Sequence, residues 1–282
     1  MSDERKVIIF LSVLILIIFT LQWSQTRKVI PAVEVPDLRT EYISVSGPDD
    51  VIGIDSTLVK PILYSDVDFL DSLNTDEAKT KFIEVILPAI LVAKKQLEQD
   101  LIHLKGIEKR KKINEKDSAF LNQMFELYKT NEIALLKRRL ITHPTSIVLA
   151  QAAIESGWGK SRFFKEANNV FGVWSYDSNE PRIAASVRRE DYQVYLRKYA
   201  HIEESVLDYF RTIARTPAYS TFRRKRAETQ NVDELVPHLE RYSERGEEYV
   251  AQLLGMIRYN DFEKYDSYQL DPAYILSPKY ND

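Results

Sequence analysis

The residues with the clearest chemical potential lie in one stretch, Ser146-Ile147-Val148-Leu149-Ala150-Gln151-Ala152-Ala153-Ile154-Glu155-Ser156-Gly157-Trp158-Gly159-Lys160-Ser161. It reads as an almost wholly apolar helix that ends on a single carboxylate. Ile147, Ala150 and Ile154 share one face, with Gln151 between them. Pro144 stands where a first-turn proline is tolerated, and Gly157 is the expected stop just past the helix end. Glu155 then lies near the negative end of the helix dipole and among apolar neighbours. Both disfavour its charged form and push its pKa upward. A carboxyl in that state can act as a general acid near neutral pH. The plainer alternative is a helix-end Glu whose head reaches water.

Other chemistries find less support. Gly159-Lys160-Ser161 ends like a phosphate-binding loop, but Ile154 stands where that motif requires glycine, so no nucleotide is expected. His103, His143, His201 and His238 are scattered and fit no helical metal spacing; each is expected to be structural or solvent-exposed. There is no Gly-x-Ser-x-Gly elbow. The chain contains no cysteine, which excludes disulfides and thiolate metal sites. With 39 Lys and Arg against 42 Asp and Glu, the net charge of −3 argues against a nucleic-acid binder. Neither a metal nor a cofactor is called for.

The elements that must position Glu155 read as mainly helical. From Asp76, Phe82, Ile86, Ile90, Leu97, Leu101 and Leu104 recur near helical spacing, with Pro88 expected to kink the helix. Ala119 to Leu140 reads as a second amphipathic helix, the Glu155 helix as a third, and Ser161 to Ala167 as a short fourth. Arg182 to Tyr199 suggests a small β-hairpin. His201 to Arg215 is helical, with Glu203 and Glu204 in its first turn. Asn231-x-x-Glu234 opens another helix as a capping box, and Glu247 to Tyr259 forms the last. Upstream, Gln25 to about Ser72 is punctuated by Pro31, Pro36, Pro48 and Pro61 and reads as a tether. Its short strand-like pieces, such as Tyr42 to Val45, leave room for part of it to pack on the domain. Arg5-Lys6, an apolar run from Val7 to Leu21, and Trp23 read as an uncleaved membrane anchor. A cleaved signal peptide competes with that reading, but no Ala-x-Ala pattern appears.

Four blocks, in order, resemble the peptidoglycan glucosaminidases of glycoside hydrolase family 73. Gln151 to Gly159 resembles the family signature. Asn168-Asn169-Val170-Phe171-Gly172-Val173-Trp174 resembles its Asn-Leu-Phe-Gly block. Tyr209-Phe210 through Thr216-Pro217-Ala218-Tyr219 resembles the following helix and Pro-x-Tyr element. Arg241 to Tyr249 is similar to the late tyrosine block in its Bax-type form. The resemblance runs from about Asp76 to Tyr265. It implies a mainly α (α+β), lysozyme-like domain with a small β-hairpin lobe.

It also implies roles. Glu155 matches the catalytic acid, and Tyr242 the tyrosine beside the scissile sugar. Trp158, Phe171, Trp174 and Tyr249 match positions in or beside the groove, and Gln151 and Asn169 belong to the same blocks as substrate contacts. The family's second acid follows the Asn-Leu-Phe-Gly block on a hairpin that here is shortened, and no acid aligns cleanly. Glu180, Glu190 and Asp191 are available, with Glu190 the first choice because it precedes Tyr192 in the matching stretch. The implied partner is the glycan strand of peptidoglycan. Arg223-Arg224-Lys225-Arg226 reads as a solvated face, or as a contact for anionic groups of that polymer or of lipid headgroups.

The expected organisation is an anchor at 1–24, a tether at 25–75, a glucosaminidase domain at 76–265 and a tail at 266–282. The expected activity is an endo-β-N-acetylglucosaminidase held to the inner membrane by one span, with its domain in the periplasm. A lytic transglycosylase is the enzymatic alternative, although its Gly-Leu-Met-Gln block is absent. A non-catalytic wall-binding scaffold is the alternative from another class.

Overall fold

The apolar residues of Thr75–Glu108 wind into the longest helix, α1, and around it the rest of the core is assembled. The computed structural model describes residues 37–185 and 193–276. The anchor expected at 1–24 lies outside them, as do Glu190 and Asp191. Among the described residues no helix is long and apolar enough to cross a membrane. The Asn74 side chain accepts from the Glu77 N–H and donates to the Glu77 carboxylate, closing the first turn of α1. Phe82, Ile86, Leu87, Ile90 and Ala93 then point inward and are fully buried. The helix runs on through Pro88 to Glu108, its interior proline held within a buried segment.

The stretch expected as one helix over Ala119–Leu140 is two, α2 (Glu115–Leu127) and α3 (Ile133–Leu140). The break falls at Lys129, which takes a left-handed φ of 51°. Arg139 clamps it by donating to the Tyr128 and Lys129 carbonyls. The order continues with α4 (Thr145–Ser156), α5 (Arg162–Ala167), β5 (Trp174–Ser175), β6 (Arg182–Ala184), β7 (Tyr195–Arg197) and α6 (Ile202–Arg215). Next come α7 (Ser220–Lys225), α8 (Val232–Leu235), a 3₁₀ segment at Val236–Tyr242 and α9 (Glu247–Tyr259). Helix α4 packs against α1, α9 and the 3₁₀ turn at Phe262–Ser267; α6 packs on α1. The three short strands form one antiparallel sheet in the order β5-β7-β6. The described residues are thus mainly helical with small sheets, as expected.

The flanking segments do more than connect. Of the stretch expected as a tether, residues 37–74 are folded onto the helices. Strands β2 (Glu41–Ser44) and β4 (Ile62–Ser65) pair in parallel, and Val45, Val51, Val59, Ile62, Leu63, Tyr64 and Leu70 enter the core. Much of the stretch expected as a tail closes on the same segment. Strand β8 (Gln269–Leu270) pairs in parallel with β3 (Leu58–Val59), and β9 (Ile275–Leu276) pairs antiparallel with β1 (Asp37–Leu38).

The turn after α4 is tightly packed. Gly157 takes the left-handed conformation (φ 59°), and the Trp158 N–H reaches back to the Ala153 carbonyl at 2.9 Å. At Gly159 the backbone has φ 76°, and an added Cβ would stand 2.5 Å from Leu70 Cδ1 and 3.1 Å from Phe82 Cδ2. Gly159→Ala is therefore expected to destabilise by at least about 1–3 kcal/mol, the ordinary range for overpacking. Thermal melting would read this as a drop of roughly 2–4 °C per kcal/mol. An unchanged Tm would show that the segment carrying Leu70 yields freely.

Candidate active site

Helix α4 carries two polar side chains one turn apart on the same face, Gln151 and Glu155. Its first turn is fixed by Asp266, whose carboxylate accepts from the Ser146 N–H at 2.8 Å and the Ser146 hydroxyl at 2.7 Å. Lys94 reinforces the same end by donating to Thr145 Oγ1 at 2.9 Å. Burial lowers the Lys94 pKa to about 8 against the opposing pull of Asp266. At the other end, the Gly157 turn leaves Glu155 half-buried on the last turn.

Four tyrosines from four elements converge on that carboxyl: Tyr209 of α6, Tyr219 of the turn after it, Tyr242 of the 3₁₀ segment and Tyr249 of α9. Tyr242 and Tyr249 stack with centroids 5.5 Å apart and planes 15° apart. Tyr242 also lies 6.3 Å from Tyr209 and 6.2 Å from Tyr219. The Tyr249 hydroxyl accepts from Gln151 Nε2 at 2.9 Å and hydrogen-bonds the Glu155 carboxylate. A hydroxyl has one hydrogen to give. Since Gln151 supplies the donor on one side, Tyr249 donates its own to Glu155.

The electrostatics follow from this enclosure. Burial pushes the Glu155 pKa up; the Tyr249 hydrogen bond and the Arg245 charge pull it down, and burial wins. Burial, and then the Glu155 charge, raise Tyr242, Tyr249 and Tyr219. The hydroxyls therefore stay protonated as donors, and the carboxyl they surround holds its proton to higher pH than an ordinary glutamate.

Several residues expected as substrate contacts are internal supports. Gln151 is fully buried and bridges Tyr209 and Tyr249. Asn169 is 1% exposed. Its amide donates to the Val173 and Arg197 carbonyls and accepts from the Val173 N–H, stapling the loop to β7. Phe171 is buried and stacks on Tyr209 at 4.4 Å. Tyr249 is buried too, though its hydroxyl reaches the carboxyl. Trp158 turns towards other neighbours: it packs on the rings of Phe82 and Phe262, and it lines a surface cavity of about 360 Å³ with Lys79 and Tyr259. Trp174 is half-buried at the start of β5, 6.2 Å from the exposed ring of Tyr176.

Glu180, one of three carboxylates considered for a second acid, is engaged. It accepts from Arg197 Nε at 3.2 Å, while Arg197 Nη1 donates to the buried Asp208 at 2.7 Å. The basic run is a solvated face only in part: Arg224 is exposed, while its neighbours are engaged. Arg226 is 2% exposed, and Arg223 donates to the Ile213 and Thr216 carbonyls. Lys225 pairs with Glu234 at 2.8 Å. Reading the residues alone missed Tyr209, Tyr219 and Arg245 as members of the site. The available signal for Tyr209 was a hydroxyl on the buried stripe of α6, which needs a partner inside the protein.

Comparison with known proteins adds the following. The family described as mannosyl-glycoprotein endo-beta-N-acetylglucosaminidase matches residues 131–269. Protein bax of Escherichia coli (strain K12) is 30% identical over 131 residues, covering 44% of this chain and 46% of that protein. The chain thus spans about half the length of the curated relative it matches. Among solved structures, the catalytic domain of the autolysin Auto from Listeria monocytogenes is 22% identical, with a TM-score of 0.37 over 57% of this chain and 93% of that one. The glycoside hydrolase domain of FlgJ from Salmonella typhimurium is 24% identical, with a TM-score of 0.35 over 53% and 89%. A peptidoglycan hydrolase from Sphingomonas sp. A1 is 19% identical, with a TM-score of 0.36 over 57% and 93%. The sequence match spans the Glu155 helix and all four tyrosines, so that over residues 131–269 this chain is similar to the glucosaminidase family.

Proposed function

We propose that the chain is a peptidoglycan hydrolase, an endo-β-N-acetylglucosaminidase that cleaves β-1,4 bonds of the glycan strand with Glu155 as general acid. One observation carries this reading: a desolvated carboxyl of raised pKa at the end of α4, held by the Tyr249 hydroxyl and ringed by tyrosines. A protonated Glu155 gives its proton to the leaving glycosidic oxygen, and water attacks the anomeric carbon. In this reading Tyr242, the less enclosed of the stacked pair, orients the sugar's N-acetyl group.

Glu155→Gln keeps the shape and removes the proton, so turnover is expected to fall by about 10²–10⁴-fold. The same change should raise the melting temperature at neutral pH. The folded pKa lies above the ordinary value of 4.5, so ionisation favours the unfolded state progressively from that pH upward. The two proteins should melt alike below pH 4.5 and diverge above it. Digestion of purified peptidoglycan tests the reaction itself: mass analysis should find new reducing GlcNAc ends. Anhydro-MurNAc ends would make the chain a transglycosylase, and absence of products a scaffold.

Glu190 is our choice for the base that activates water, because Glu180 is already paired with Arg197. Glu190→Gln should then lower turnover at least about a hundredfold, and the unaltered enzyme should give a product of inverted configuration. Active variants at Glu180, Glu190 and Asp191 together with a retained anomer would refute this and assign assistance to the N-acetyl group. Tyr242→Phe would then be the damaging change.

For location, Val7–Leu21 without a cleavage pattern supports an inner-membrane anchor with the domain in the periplasm. Membrane fractions should hold a protein whose amino terminus still includes Met1 or Ser2. A soluble form beginning near Ser24 to Lys28 would mean a cleaved signal peptide.

A further inference from the structure

The hydrogen bonds behind Glu155 do not stop at Gln151. Gln151 Oε1 accepts from the Tyr209 hydroxyl at 2.5 Å. The Tyr209 oxygen lies 2.8 Å from His143 Nε2, and His143 Nδ1 lies 3.5 Å from Arg226 Nη1. All of Arg226, His143, Tyr209, Gln151 and Tyr249 are buried. They come from five places in the chain: the end of α7, the loop before α4, α6, α4 and α9.

The polarity of this row is fixed by its first member. A guanidinium only donates, so Nδ1 of His143 must accept and its one proton sits on Nε2. Burial, with the charges of Arg226 and Lys94, keeps the ring neutral, so there is no second proton to consider. His143 therefore donates to the Tyr209 oxygen, and Tyr209 is left to donate to Gln151 Oε1. Gln151 Nε2 then donates to Tyr249, and Tyr249 to Glu155. Were the Gln151 amide reversed, the Tyr209 hydroxyl would receive two donors and its own hydrogen would lack an acceptor in a buried place. Every donor thus points from Arg226 towards Glu155.

Arg226 is itself unusual. Among the described residues no carboxylate lies within ion-pair distance of it. Burial lowers its pKa to about 10, which leaves it charged at neutral pH. Its Nη2 donates to the Arg139 carbonyl at 3.1 Å, in the last turn of α3, where a cation is favourable. Its Nη1 faces His143. Hydrogen bonds in such a row polarise one another, more so in a low-dielectric interior.

We propose that Arg226 and His143 are positioning residues for the general acid: a buried cation and a neutral imidazole of fixed tautomer that, through Tyr209, Gln151 and Tyr249, orient the Glu155 carboxyl and favour its charged form. This rests on the reading of Glu155 as the acid. The other groups that face Glu155 are Arg245 before α9 and the hydroxyls of Tyr219 and Tyr242, and none of these belongs to the row. A role limited to capping α3 would make Arg226 matter to stability alone.

The test uses His143→Leu, His143→Gln and Tyr209→Phe in the full chain. The leucine variant breaks the row, the glutamine variant keeps a donor towards Tyr209, and the phenylalanine variant deletes one oxygen at the centre. Loss of the row should lower kcat about 10- to 100-fold with KM unchanged, the cost of a slightly misplaced group. The sign of the pH effect is set: losing donors that favour the carboxylate raises the Glu155 pKa, and an acid works while protonated, so the alkaline limb of kcat/KM moves to higher pH. His143→Gln should restore most of both. Side-chain ¹⁵N NMR of the unaltered chain should show His143 neutral with the proton on Nε2. Glu155 should titrate at higher pH in Tyr209→Phe than in the unaltered chain. Wild-type kcat and limb in the broken variants, a proton on Nδ1, or an unmoved Glu155 titration would overturn the proposal. The two NMR measurements need no substrate, so they decide it even if no glycan is cleaved or His143→Leu does not fold.

Discussion

One hydroxyl holds the site together. Tyr249 stands between Gln151 and Glu155, accepts from the first and donates to the second. A carboxyl at the negative end of a helix, half out of water, costs free energy in its charged form. The Tyr249 donor and the Arg245 charge offset part of that cost without cancelling it. Without them, the Glu155 pKa would stand higher still; with the carboxyl more fully paired, it would fall back towards the ordinary carboxylate range. The geometry sets it between these limits, and the stacked ring of Tyr242 covers Tyr249 so that the donor stays in place.

The scaffold is arranged to keep that helix end still. Asp266, from the C-terminal side of the fold, accepts the first-turn N–H of α4, while the Gly157 turn closes its last carbonyls. Leu70, from the segment before α1, packs under Gly159. Segments at both ends of the described chain therefore brace one twelve-residue helix (Thr145–Ser156). On the β side, Asn169 staples its loop to β7. Arg197 and the Tyr199 hydroxyl both donate to Asp208, joining the small sheet to α6. Tyr209 leaves that same helix one residue later and enters the row behind Glu155, so the sheet and Glu155 share a support.

Local signals were legible in the sequence and non-local ones were not. The Glu155 helix, its glycine stop and the span of the last helix, Glu247 to Tyr259, follow from periodicity and caps, which are properties of neighbouring residues. The parallel pairing of Glu41–Ser44 with Ile62–Ser65 depends on burial against α1, so a proline-punctuated stretch reads as a tether until its partner is seen. The break at Lys129 is held by Arg139, ten residues away, and leaves no local mark. Gln151 and Asn169 belong to the same sequence blocks as the site, but blocks do not say whether a side chain faces a groove or the interior. Four adjacent cations suggested a wet surface. Arg226 is instead buried, because the end of α7 turns it under α3 to meet backbone carbonyls.

Enclosure makes Glu155 a weaker acid than an ordinary glutamate while leaving it able to ionise. Its carboxyl can be followed directly by ¹³C NMR in the unliganded protein as pH is raised. The account predicts a midpoint above 4.5, the ordinary value for a glutamate side chain, with the surrounding tyrosines still protonated. A midpoint at or below 4.5 would mean that Tyr249 and Arg245 outweigh burial, and would contradict the reading of Glu155 as a general acid.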